Sequence, residues 1–298
     1  MPGIQIIGLG GFLGKNLFRY FSEKKYSVFG TSHQKHLIDS PRVSRLNLLD
    51  PDFEFLQTTD SGLQFSIICS GETNIDKCKT EIKMSEKLNV THTIELIKNL
   101  WTNGITPIFI SSDAVFDGKT GNQKENDICN PVTQYGTQKR CVEEFLSASN
   151  NPWLIIRLCK VFDVDFKGRT LVTDWLDSLQ AGHSIKCASD QHISPTYVLD
   201  ICKAIERIIT TGKAGMYHVC SPEIFSRFDL GLKVVKYFQI DPQKVERCSI
   251  FDFSFIEPRP CHSTLSPKKL TAELGFNFST MTSCFEKIAF NYDQQNRT

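Results

Sequence analysis

The chain has 298 residues, 40% of them hydrophobic and 22% charged, with a formal net charge of +1. That length buries a large core, as one α/β domain or one domain with a smaller annex, and a charge so near balance removes the electrostatic case for nucleic acid or an acidic membrane as partner. The eleven cysteines and seven histidines show neither a CxxC pair nor a ligand spacing, and no apolar run approaches the ~18 residues of a membrane span, so reduced thiols, no metal site and a cytoplasmic location without a signal peptide are expected.

Ile4 to Ile7 is a short β-branched run that reads as a buried parallel strand. Gly8, Gly11 and Gly14 follow as GxxGxxG, with Phe12 and Leu13 between the last two, and a helical pattern then runs from Lys15 to Lys25. Strand, glycine turn and helix together suit a pyrophosphate: the glycines admit it to the backbone, and the helix N-terminus offers free N–H groups. Leu13 stands where the GxGxxG spacing would need its third glycine.

Tyr26 to Gly30 reads as the second strand. An acidic residue at its end would favour NAD. This chain has Thr31, Ser32, His33, Gln34, Lys35 and His36 instead, which admits a 2′-phosphate and points to NADP(H). Leu46 to Asp50, including Asn47 and Leu48, is expected as a third strand near the adenine. Gln64 to Ser70 is a further strand, whose end at Ser70 and Gly71 should face the cofactor.

Ser85 to Trp101 is helical by pattern, and Gly104 ends it. A strand at Pro107–Ile110 runs into Ser111 and Ser112, placed to donate to a substrate carbonyl. The next helix carries Tyr135 and Lys139, four residues apart and so on one face. A lysine cation held there is expected to lower the tyrosine pKa from about 10 toward neutrality, making it a proton donor. Strands at 153–158, 184–188 and 215–220 alternate with helices at 171–179, 198–208, 228–238 and 281–292. The class is α/β: a doubly wound parallel sheet with a smaller C-terminal domain.

These motifs resemble the extended short-chain dehydrogenase/reductases, and within them the dTDP-4-dehydrorhamnose reductase family of sugar-nucleotide reductases. Residues 111–118 are similar to that family's Ser-Thr-Asp-Tyr-Val-Phe-Asp-Gly. Asn130-Pro131 with Tyr135-Gly136 and Lys139 matches its next motif. Asp190-Gln191 with Ser194-Pro195-Thr196-Tyr197, and Arg259-Pro260 with Leu265 and Lys269-Leu270, match the later ones. The likeness spans residues 4 to about 276.

The resemblance implies NADPH-dependent reduction of the 4-keto group of a nucleotide-linked deoxy sugar. Tyr135 would be the proton donor, Lys139 would hold the nicotinamide ribose, and Ser112 would polarise the ketone. Asp113, Ala114, Val115, Lys160 and Arg259 would meet the sugar nucleotide. Asn89 lies on the helix that supplies a structural asparagine in related enzymes. The Rossmann domain would span 1–163, with 188–220 returning to it. Segments 164–187 and 221–298 would bind substrate, and a homodimer stays open. Three positions depart from the family pattern: Ala114 replaces an aromatic residue, Lys160 a tryptophan and Ile193 a glycine. The identity of the sugar therefore stays open, with a UDP-linked N-acetylated deoxyhexulose as one alternative. A cofactor-binding regulatory subunit like that of methionine adenosyltransferase is another.

Overall fold

The computed structural model describes residues 1–34, 40–53, 62–165 and 168–295, the side chains of the last three excepted. In chain order the first elements are β1 (Gly3–Ile7), α1 (Phe12–Glu23), β2 (Val28–Ser32), β3 (Val43–Arg45) and β4 (Leu63–Ile68). Then come α2 (Ile75–Thr80), α3 (Ile82–Glu86), a π turn at Lys87–Thr91, α4 (His92–Thr102), β5 (Thr106–Ser112), a 3₁₀ turn at Asp113–Val115 and α5 (Gln134–Ser147). The middle of the chain supplies β6 (Leu154–Leu158), β7 (Val161–Phe162), α6 (Leu171–Gln180), β8 (Ile185–Ala188), β9 (His192–Ile193), β10 (Thr196–Tyr197) and α7 (Val198–Thr210). It ends with β11 (Gly215–Val219), β12 (Phe225–Ser226), α8 (Arg227–Tyr237), β13 (Val245–Cys248), β14 (His262–Ser263), α9 (Lys268–Leu274) and α10 (Met281–Gln295).

Seven strands form one sheet in the order β11-β6-β5-β4-β1-β2-β3. The pairs β1–β2, β1–β4, β2–β3 and β4–β5 are parallel. The strand order reverses between β1 and β4, which is where ligands bind in a doubly wound fold, beyond the strands' carboxyl ends. Every residue of β1 is buried, as a central strand covered on both faces requires. Leu96, Ile97 and Leu100 of α4 and Val142 and Leu146 of α5 join Ile7, Ile68, Phe109 and Ile155 in one apolar core. Each such side chain contributes roughly 1.5–3 kcal/mol of burial.

The chain divides into two compact units: 1–116, 128–157 and 208–217 in the first, and 117–127, 158–207 and 218–298 in the second. The division differs from the expected boundary at 163. Segment 158–163 carries β7, which pairs with β10, and Gly118 and Gly121 lie against Pro260 and His262, so both stretches belong to the second unit. Within that unit β9 pairs with β12 and β14, and β13 with β8.

Two further expectations change. Leu46–Asp50 is not a strand, because pairing with β2 ends at Arg45. The expected helix at 85–101 is interrupted by the π turn, which brings Asn89 inward. Among the described residues no helix is long and apolar enough to cross a membrane, no cluster is suited to a metal and no disulfide forms.

Candidate active site

The glycine turn works through backbone contact. Gly8 has φ +96°, and a Cβ there would lie 2.7 Å from the Ser70 backbone nitrogen. Gly14 sits over it, where a Cβ would come within 2.3 Å of the Gly8 carbonyl oxygen. The third glycine is thus displaced by one position from the GxGxxG spacing and still gives the helix its close approach to β1. Gly11 occupies the N-cap of α1, which has no side-chain cap, so its first N–H groups stay available to an anion.

A cavity of about 360 Å³ opens over this turn, walled by Gly8, Gly10 and Gly11, by Thr31 to Gln34, by Leu46 to Leu49, and by Cys69, Ser70 and Gly71. The loop expected as a third strand is therefore one of its walls. Of the residues expected to bind a dinucleotide, Gly8, Gly11, Thr31, Ser32, Asn47, Leu48, Ser70 and Gly71 line it. Phe12 and Leu13 stand in the first turn of α1, outside its lining. Lys35 lies outside the described residues. Leu88, also in the lining, was not singled out from sequence, and His33 and Gln34 were read only as part of the stretch after β2 that lacks an acidic residue.

Ser70 Oγ is buried with no hydrogen-bond partner. An orphaned buried hydroxyl in a cavity wall is costly unless a ligand satisfies it. Together with the backbone cradle, it fits a phosphorylated dinucleotide. Asn89 braces the same wall: its carboxamide accepts from Glu72 N at 2.8 Å and donates to Glu72 O at 2.9 Å and to Gln138 Oε1 at 2.8 Å. Gln138 directly precedes Lys139, so the cavity wall and α5 are joined.

On α5 the Thr133 hydroxyl accepts from Gly136 N at 3.1 Å and caps the helix. Gly136 allows the close approach of α5 to the turn after β5: a Cβ there would lie 2.0 Å from the Ala114 carbonyl oxygen. This brings the Tyr135 phenol beside the Ser112 hydroxyl, close enough for Ser112 to act on its titration. The Lys139 ammonium donates to Ile110 O at 2.8 Å and lies 4.7 Å from the Phe109 ring centroid and 5.7 Å from that of Tyr135. Ser112, Tyr135 and Lys139 therefore converge.

The titration of this group differs from expectation. Burial raises the Tyr135 phenol well above its ordinary value, the Asp113 charge adds to the rise, and the Ser112 hydroxyl opposes it. Burial pulls Lys139 down to about 8, against the opposing influence of Cys69, Cys78 and Glu143. A lysine whose own charge is disfavoured, and which is bonded to a main-chain carbonyl, does not depress the phenol. Cys69, in the cavity wall, is near enough to Lys139 to act on it.

Below the site lies an ion pair that the sequence pattern did not reveal. Glu143, one turn after Lys139, receives Arg157 Nε at 2.8 Å and Nη2 at 2.7 Å, and the Ser111 hydroxyl at 2.6 Å. Both charged groups are buried. They tie α5 to β5 and β6.

Asp113 and Ala114 are half-buried in the 3₁₀ turn, whereas the Val115 side chain is fully buried. Val115 therefore offers a ligand only its backbone. Lys160 and Arg259 belong to the second unit. There Lys160 is exposed and its carbonyl accepts from Thr196 N at 2.9 Å. Arg259 donates to Glu257 O at 2.9 Å and lies 4.4 Å from the Phe255 ring centroid.

The family described as RmlD substrate binding domain matches residues 2–292. The dTDP-4-dehydrorhamnose reductase of Aggregatibacter actinomycetemcomitans is 26% identical over 97% of this chain and 98% of its own length. Methionine adenosyltransferase 2 subunit beta of Xenopus tropicalis is 27% identical over 91% of this chain and 82% of its own length. Among solved structures, the dTDP-4-dehydrorhamnose reductase of Bacillus anthracis in complex with NADP superposes with a TM-score of 0.82, at 22% identity, over 99% of this chain and 100% of that one.

Proposed function

Since the chain belongs to the RmlD substrate binding domain family, we propose that it is an NADP(H)-dependent oxidoreductase that reduces the 4-keto group of a nucleotide-linked deoxy sugar. The observation that carries this reading is the convergence of Ser112, Tyr135 and Lys139 beside the glycine-cradled cavity. The relationship to dTDP-4-dehydrorhamnose reductases supports the same reaction.

The backbone of Gly8–Gly11 and the N-terminus of α1 would hold the pyrophosphate, with Ser70 Oγ gaining a partner. Thr31 and Ser32 would face the adenosine ribose, and the wall there, which among the described residues carries no carboxylate, favours a 2′-phosphate. The bound cofactor supplies the hydride. Tyr135 stays protonated across the physiological range and gives its proton to the carbonyl oxygen as negative charge develops there. Lys139, while charged, adds a positive charge near that oxygen. Asp113, Ala114, the Val115 backbone, Lys160 and Arg259 are assigned to substrate. NADPH oxidation measured over dTDP- and UDP-linked 4-keto-6-deoxy sugars tests the reading. Turnover of one of them is expected, and inertness to all of them overturns it.

The beta-subunit relative favours a second reading, in which the chain binds NADP(H) as a regulatory partner of a methionine adenosyltransferase. Stoichiometric capture of that enzyme, with no NADPH consumed over the panel, would select this reading.

A further inference from the structure

We propose that Asp113 recognises a hydroxyl on the carbon next to the substrate carbonyl, and that it withholds the Ser112 proton until that hydroxyl arrives. The inference rests on the reductase reading and names the class of ketone it takes.

A serine hydroxyl carries one proton. In Ser112 that proton is donated to Asp113 Oδ1 at 2.7 Å, while Ser112 Oγ accepts from Ala114 N at 3.2 Å. As it stands, Ser112 has nothing to give a ketone oxygen. An ionised carboxylate only accepts, so a ligand hydroxyl that donates to Asp113 Oδ1 competes with Ser112 for that oxygen and lets the Ser112 hydroxyl turn to a carbonyl. An α-hydroxy ketone brings both parts of the exchange. Its hydroxyl donates to Asp113, and its carbonyl, about one hydrogen-bond length away on the neighbouring carbon, accepts from Ser112. The 2.7 Å between the two protein oxygens matches that spacing. In a 4-keto-6-deoxyhexose the hydroxyl in question is the one at C3.

The geometry is fixed rather than incidental. Asp113 sits in a 3₁₀ turn that Ser112 caps, and the missing Gly136 side chain lets α5 press against that turn. Asp113 is half-buried, within reach of a ligand. The groups acting on the Tyr135 phenol from the elements packed against it are Asp113 and Ser112 from this turn and Cys78 from α2, with Lys139 on its own helix. Of these, Asp113 favours the protonated phenol, so the carboxylate that holds the Ser112 proton also keeps Tyr135 in its donor form.

The test compares wild type, Asp113→Ala and Asp113→Asn on a 4-keto-6-deoxyhexose nucleotide and its 3-deoxy analogue. NADPH oxidation is measured, along with calorimetric binding of the matching 3-hydroxy and 3-deoxy 6-deoxyhexose nucleotides to the NADP⁺-loaded protein. Wild type is expected to prefer the hydroxylated ketone by about 100-fold or more in kcat/KM. Asp113→Ala should bring that ratio within about tenfold, chiefly by loss on the hydroxylated substrate, with NADPH binding unchanged. Asp113→Asn should retain part of the preference through its carbonyl oxygen. A ratio unchanged in Asp113→Ala overturns the proposal while the reductase reading stands. Hydroxyl-dependent binding that needs Asp113, without turnover, overturns the reductase reading and leaves the recognition standing. Neither binding preference nor turnover overturns both.

Discussion

The Lys139 ammonium donates to the carbonyl oxygen of Ile110 at 2.8 Å, inside a wall where the lysine itself is only 7% exposed. Burial lowers its pKa from 10.5 to about 8, so the protonated lysine destabilises the cofactor-free fold. Below pH 8 both folded and unfolded chains carry the proton and the cost is fully present. Between about 8 and 10.5 the unfolded chain binds more protons, and this group's contribution to stability rises with pH. Lys139→Met is therefore expected to stabilise the cofactor-free protein by on the order of 2–3 kcal/mol at pH 7, with the advantage shrinking through that window. Urea unfolding of both proteins at pH 7 and 9.5 checks it, and the variant should have no turnover.

Tyr135→Phe removes the proposed proton donor and leaves the cavity wall intact. Turnover should fall by roughly 10²–10⁴, while NADPH binding, followed by fluorescence titration, stays near that of wild type. The pH profile separates the two members of the dyad. Because the phenol is raised, it stays protonated through the assay range, so the alkaline fall in kcat/KM should begin near pH 8, where Lys139 loses its charge.

Glu143 and Arg157 form a two-pronged pair with both charges buried. Such a pair is weak evidence of net stabilisation, but removing one partner strands the other. Arg157→Met should cost about 3–5 kcal/mol, read by urea unfolding. Because Glu143 also holds Ser111 at 2.6 Å, the variant should lose kcat even under conditions where it is folded.

Much of this was legible in the chain because it depends on local pattern. The β-branched run before Gly8, the glycine spacing and the four-residue interval from Tyr135 to Lys139 each specify local geometry by themselves. What escaped depends on long-range pairing. Leu46–Leu49 looks like a strand, but its apolar residues face a cavity, and β3 stops at Arg45. Glu143 and Arg157 lie 14 residues apart on different elements, and nothing in either neighbourhood marks the other. The phenol's titration was misjudged for the same reason. Helical spacing places a lysine near a tyrosine, but burial and Asp113 decide which way the proton equilibrium moves. The π turn that carries Asn89 inward follows from its bonds to Glu72 and Gln138, partners 17 and 49 residues away.

Cofactor choice comes down to the end of β2. Ser32 Oγ accepts from Gln34 N at 3.0 Å, a turn bond that an aspartate oxygen makes equally well, so Ser32→Asp keeps the turn. The new carboxylate would stand in the cavity wall. There it accepts a hydrogen bond from a ribose 2′-hydroxyl and repels a 2′-phosphate. Both effects act in the same direction. The ratio of kcat/KM for NADPH over NADH should fall by roughly tenfold or more, with most of the change in KM because the residue is remote from the reacting carbon. An unchanged ratio in a folded Ser32→Asp would move the 2′-phosphate contact away from β2.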